Sequence, residues 1–184
     1  MLKKTVCVGL LTATLAACQT TGGYEPVSDK LASLSVALAD QAWTGGQIPD
    51  GQQCKKFGGN GATPALTVSG IPAGANAIIV EFNDESYTPL STNGGHGKIG
   101  FWIKGGSTAQ LPSVPGATDT LTGNAFVEAR NRATGSYTSA GYLPPCSGGR
   151  GNTYSADVKA VYKAKAEGEK SKLLAKGYIV IGKY

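Results

Sequence analysis

The stretch Gly141-Tyr-Leu-Pro-Pro-Cys-Ser-Gly-Gly-Arg-Gly-Asn-Thr-Tyr154 constrains this chain more than any other. Two prolines fix its backbone, and its glycines let it turn tightly and bring N–H groups close to a guest. A cysteine can tether it, and a tyrosine, an arginine and an asparagine offer polar atoms. Directly after it, Tyr154, Ala156, Val158, Ala160 and Tyr162 fall on one face of an alternating stretch, the period of a strand. The stretch is therefore either an ordinary connection or a rigid polar loop at the mouth of a strand, where binding sites tend to sit.

Glycine, at 27 of 184 residues, is roughly twice its average usage. With few charges and scattered Thr, Ser and Pro, that favours a loop-rich β protein of one domain. The spacing predicts strands around Leu34, Val36 and Leu38, then over 65–69, 77–82, 99–104, 125–130, 154–164 and 178–181. Ser28-Asp29 could alternatively cap a short helix. Glu167–Lys176 reads as a helix with Leu173 and Leu174 as its apolar contacts and Gly177 as its C-terminal cap. The expected fold is mainly β with one or two short helices.

Residues 1–17 read as a bacterial lipoprotein signal peptide. Lys3 and Lys4 precede a short apolar run, and Leu15-Ala-Ala-Cys18 forms a lipobox. The apolar run is too short to span a bilayer as a stable helix. Cys18 would carry a diacylglycerol and a palmitate-type acyl chain, residues 18–33 would form the tether, and 34–184 the folded domain. The competing reading is a plain secretory signal with a chance cysteine. Gln19, in place of the aspartate that favours inner-membrane retention, points to the outer membrane, with the domain in the periplasm or at the cell surface.

Cysteine usage fits that address. Cys7 leaves with the leader and Cys18 is acylated, so Cys54 and Cys146 remain as a pair. In an oxidising compartment such a pair reads as a disulfide, and no histidine lies near enough in sequence to suggest a metal site. The net charge is +5, with its surplus at Lys159, Lys163, Lys165, Lys170, Lys172, Lys176 and Lys183. Those lysines alternate with Glu167 and Glu169, so they read as a solvated face and not as a nucleic-acid surface.

Several motifs in order resemble the phosphatidylethanolamine-binding protein family, in its short bacterial branch. They are Trp43, Gly45, Gly46 and Ile48-Pro49, then Cys54, Thr63-Pro64, Leu66 and Ser69-Gly-Ile-Pro-Ala-Gly74, with Asp84 on the first aspartate of the family's Asp-Pro-Asp. Ile103 and Leu111-Pro112 match a later turn. Tyr142, Pro145, Cys146 and Tyr154 match the family's glycine- and proline-rich loop, and Ala175–Tyr184 its closing helix and strand. The resemblance spans roughly Leu34 to Tyr184 and implies a β-sandwich of that family. It also implies a small pocket for phosphate-like or carboxylate-like groups, here built from Asp84, His96, Tyr142 and Asn152 with Arg150 as a nearby cation.

The departures from that pattern bear on the same pocket. Lys55 stands for the aspartate after the cysteine, Glu85-Ser86 for Pro-Asp, Lys98 for the strand histidine and Asn152 for the loop histidine. Asn can donate to an anion but cannot take a proton charge, so affinity and its pH dependence would fall. Asp84 would need a cationic partner, Lys98 or Arg150. In competing readings Asp84 only caps a turn, His96 is a loop residue, Tyr142 packs on the proline rim and Arg150 is solvated.

Catalysis is not expected. His96 is the lone histidine, and no Gly-x-Ser-x-Gly elbow, HExxH helix, P-loop or dinucleotide fingerprint occurs; no cofactor or metal is implied. Two functions follow from the residues and the resemblance. One is a membrane-anchored binding protein for a small anion or phospholipid head group. The other is an envelope protein–protein interaction module, or hydrolase inhibitor, with a decayed pocket.

Overall fold

The computed structural model describes residues 23–184; the signal peptide, the lipobox and Cys18 lie outside them. Ten strands follow in chain order: β1 (Glu25–Pro26), β2 (Ala32–Ser33), β3 (Ser35–Leu38), β4 (Leu66–Ser69), β5 (Ala77–Asp84), β6 (Lys98–Trp102), β7 (Thr108–Leu111), β8 (Ala125–Ala129), β9 (Thr153–Tyr162) and β10 (Lys172–Lys183). Three 3-10 turns, Lys55–Phe57, Thr88–Leu90 and Gly135–Tyr137, are the only helical segments among the described residues. The larger sheet runs β1-β10-β9-β5-β6-β8, with β2 also on β10; the smaller runs β3-β4-β7.

The two sheets close on one core. Leu66, Val68 and Leu111 of the small sheet meet Ile78, Val80, Phe82, Ile99, Phe101, Ala156, Val158 and Ala160 of the large one. Tyr154, Ala156, Val158 and Ala160 of the expected alternation in β9 thus face inward, Tyr162 lies outside the core and donates to Glu169, and the mainly β sandwich stands. All eight residues of β5 are buried, which explains its nearly unbroken apolar run: a strand covered on both faces has no polar side to show. Ala77 and Ile79 face outward and, with Val161 and Leu173, are covered by Tyr24, Leu31 and Phe126.

Glu81 shares that outer face, and a buried carboxylate needs partners. Lys98 and Lys159 supply them at 2.9 and 2.7 Å. Burial works against the charged form, but the two ammonium groups outweigh it and hold the Glu81 carboxyl below its usual range. Lys163 pairs with Glu128. Part of the lysine surplus therefore neutralises acids on this face instead of facing solvent alone.

Two expectations change. The helix over Glu167–Lys176 is absent: Lys172–Lys183 is the longest strand of the fold, antiparallel to β9. The register shifts between Leu173 and Ala175, so Leu173 turns to the outer cluster and Ala175 to the main core. The stretch read as tether up to residue 33 also contributes two strands, β1 and β2, parallel to β10.

Cys54 and Cys146 form the expected disulfide across a separation of 92 residues. It joins the loop after Pro49 to the loop before β9. No helix among the described residues is long and apolar enough to cross a membrane.

Candidate functional site

Asp84 ends β5, opposite Tyr154 of β9. Its Oδ1 accepts from the Ser86 N–H at 3.0 Å and its Oδ2 from the Asn152 amide at 2.8 Å. Asp84 therefore does cap its turn, and it also reaches across to the loop before β9. Its partner is Asn152, not a cation: Lys98 lies on the outer face with Glu81 and Asn93.

The chain leaves β5, passes the turn Thr88–Leu90 and re-enters β6 through Gly94-Gly-His-Gly97. Little freedom remains there. A Cβ on Gly95 would lie 2.1 Å from the Leu90 carbonyl oxygen, and Gly97 adopts φ +111° with the Gly141 carbonyl 2.8 Å from where its Cβ would be. Side chains other than hydrogen are strained at such a φ.

His96 is fixed three ways. Its N–H donates to Phe82 O and its carbonyl accepts from Leu143 N–H, both at 2.8 Å. Its Nδ1 lies 2.8 Å from Leu143 O, so Nδ1 carries the proton and Nε2 is left as the acceptor. The ring stands edge-on to Tyr154 at 5.2 Å. His96 is a buried, positioned side chain, not a loop residue in solvent. Burial pushes its pKa below 6.5, against smaller opposing effects of the Leu143 bond and the Asp84 charge. Since the folded pKa is the lower one, this group's contribution to stability is full above pH 6.5 and is lost as pH falls through the folded value.

These groups line a cavity of about 510 Å3. Asp84, His96, Arg150 and Asn152, four of the residues that the family resemblance named, line it together. Arg132, Tyr87 and Tyr137, none of them foreseen, line it as well. The Arg132 guanidinium donates to the carbonyls of Pro89, Thr92 and Asn93, so it staples the 89–93 loop while presenting charge to the cavity. No ion pair among the described residues engages Arg150. Tyr154 lies beneath, its hydroxyl accepting from Cys146 N–H at 3.1 Å; burial pushes its pKa up to about 12. No group of three or more metal-ligating side chains occurs among the described residues.

Tyr142 is the exception. It does not line the cavity but sits 1% exposed in the main core, its ring 4.6 Å from that of Phe82. Its hydroxyl is buried without a hydrogen-bond partner, and burial drives its pKa upward. A sealed hydroxyl with no partner costs free energy. Tyr142→Phe is expected to leave ligand binding unchanged and to raise stability by up to about 1 kcal/mol, read from urea unfolding midpoints.

No protein-family model and no curated protein matches the sequence. Among solved structures, YbcL from Escherichia coli, a member of the mammalian phosphatidylethanolamine-binding protein family, matches with a TM-score of 0.50 and 20% identity, covering 83% of this chain and 98% of YbcL. The fold is that of the phosphatidylethanolamine-binding proteins. A phosphatidylethanolamine-binding protein homologue from Chlamydia trachomatis matches with a TM-score of 0.49 and 19% identity, over 83% and 97% of the two chains. At these identities the likeness concerns the fold, and the site rests on its own geometry.

Proposed function

We propose that this protein is a non-enzymatic binding protein, held at the outer membrane through lipidated Cys18, whose cavity takes a small anion or the anionic part of a phospholipid head group. One observation carries the reading. Arg150, which no ion pair among the described residues engages, and Arg132, whose guanidinium donates to backbone carbonyls, share a cavity with His96 and with an aspartate already tied to Asn152. Asp84, the acid at the site, thus has its oxygens engaged by Ser86 N–H and Asn152. Guanidinium forks match carboxylate and phosphate oxygens. The fold's namesake activity agrees with this reading, and the lipobox supplies the address.

His96 adds a proton to the binding. A guest anion stabilises the imidazolium against its burial cost, so sulfate, which keeps its charge across the range, should bind several-fold more tightly as pH falls from about 7.5 to about 5.5. His96→Gln should flatten that dependence.

The broader test is thermal unfolding with sulfate, phosphate and phosphoethanolamine. A saturable rise in Tm that Arg150→Ala abolishes is expected. A flat response at millimolar ligand would overturn the reading and leave capture of an envelope protein as the function.

A further inference from the structure

The large cavity has a neighbour. A second cavity of about 270 Å3 lies beyond a ridge made by Tyr137, Leu143 and Cys146, which line both. Lys55 and Lys56, from the 3-10 turn that follows Cys54, line it as well. The Lys56 ammonium is 2.6 Å from Ser136 Oγ and 3.8 Å from the centre of the Tyr137 ring, so it is held against the ridge. No ion pair among the described residues engages Lys55 or Lys56. Among the described residues no acid lines this second cavity, and Asp84 is the one acid that lines the first.

Two pairs of cations therefore line neighbouring cavities, Arg132 with Arg150 in one and Lys55 with Lys56 in the other, and the two cavities share Tyr137, Leu143 and Cys146 as a common wall. Clefts lined by one sign of charge concentrate ligands of the other sign. A single small anion would use one pair only. A head group bearing an ammonium would set that cation against the second pair. A ligand with an anion at each end complements both pairs, and its apolar middle lies on Tyr137, Leu143 and the disulfide.

We infer that the ligand of this site is an elongated dianion, with two phosphate-like or carboxylate-like groups joined by an apolar spacer that crosses the Tyr137 ridge. This rests on the anion-binding reading of the large cavity. Joining the two groups makes the second contact intramolecular, so affinity should peak at the spacer length that matches the ridge and fall for shorter or longer spacers.

The test is calorimetric titration of the purified protein with alkane-α,ω-bisphosphonates of increasing length beside the matching monophosphonates. At the optimal spacer the bisphosphonate should bind at least about tenfold more tightly than its monophosphonate. Lys55→Gln combined with Lys56→Gln should erase that advantage while leaving monophosphonate affinity and Tm near wild type. If monophosphonates bind but length and the lysine pair have no effect, the dianion proposal fails and the anion pocket survives. If neither series binds, both fail. Vesicles containing cardiolipin, a diphosphate lipid, separate the sources: displacement of bound bisphosphonate by vesicles assigns a lipid ligand, and no displacement assigns a soluble one.

Discussion

Replacing both Cys54 and Cys146 by alanine is expected to lower stability by about 4–5 kcal/mol, a large share of the 5–15 kcal/mol typical of a domain. The bridge closes a separation of 92 residues, and in the chain-entropy account a loop that long restricts the unfolded ensemble most. The native geometry should change little. Cys54 N–H still donates to Pro145 O at 2.9 Å, and Phe57, Ala133 and Tyr137 still pack around the site. The effect should therefore show in the unfolded state, as a lower urea midpoint together with a steeper m-value from the more expanded chain. A loss below about 2 kcal/mol with an unchanged m-value would contradict the account. Because Cys146 lines both cavities, the same substitution should also weaken ligand binding.

The sequence showed the strands whose apolar period survives intact, and it failed where packing alters that period. Val158 and Ala160 of β9, and Ile78 and Val80 of β5, follow their register into the core. In β10 the register shift between Leu173 and Ala175 breaks the alternation. What remains, Leu-Leu-Ala-Lys beside glutamates, is rich in good helix formers. Pairing along β9 overrides that preference. β1 and β2 have two exposed residues each and leave no period to find.

The site divides in the same way. Asp84, His96 and Asn152, with Arg150 as a nearby cation, were named through the resemblance of their motifs to the family's pocket, and the fold sets all four on one cavity. Arg132 reaches the cavity only because three carbonyls of a loop some forty residues earlier in the chain receive its guanidinium. Nothing local marks that closure. Tyr142 misled for the opposite reason. An aromatic after glycine in a polar loop resembles a rim residue, yet Gly141 adopts φ +53° under the Thr118 carbonyl, and the next side chain lies in the core against Phe82.

Asn83→Ala is expected to cost about 2–4 kcal/mol and to abolish anion binding, although Asn83 touches no part of the cavity. This side chain is 2% exposed near the end of β5. Its Oδ1 accepts from the N–H groups of Gly94 and Gly95 at 2.9 and 3.2 Å, and its amide donates to Asp157 at 3.0 Å. Truncation leaves two buried N–H donors with no partner and frees the segment that holds His96. Arg132 still grips residues 89–93, so the loop should loosen at Gly94–Gly97 and not detach as a whole. Asp157→Asn is the control. Burial, and next the Glu81 charge, already push the Asp157 pKa up, so a neutral isostere that can still accept from Asn83 should cost little and leave sulfate affinity intact. Urea unfolding and sulfate titration of the two variants decide the matter. If Asn83→Ala lost stability but bound sulfate like wild type, His96 would be held by its bonds to Phe82 and Leu143 alone, and the Asn83 bonds would serve the fold but not the site.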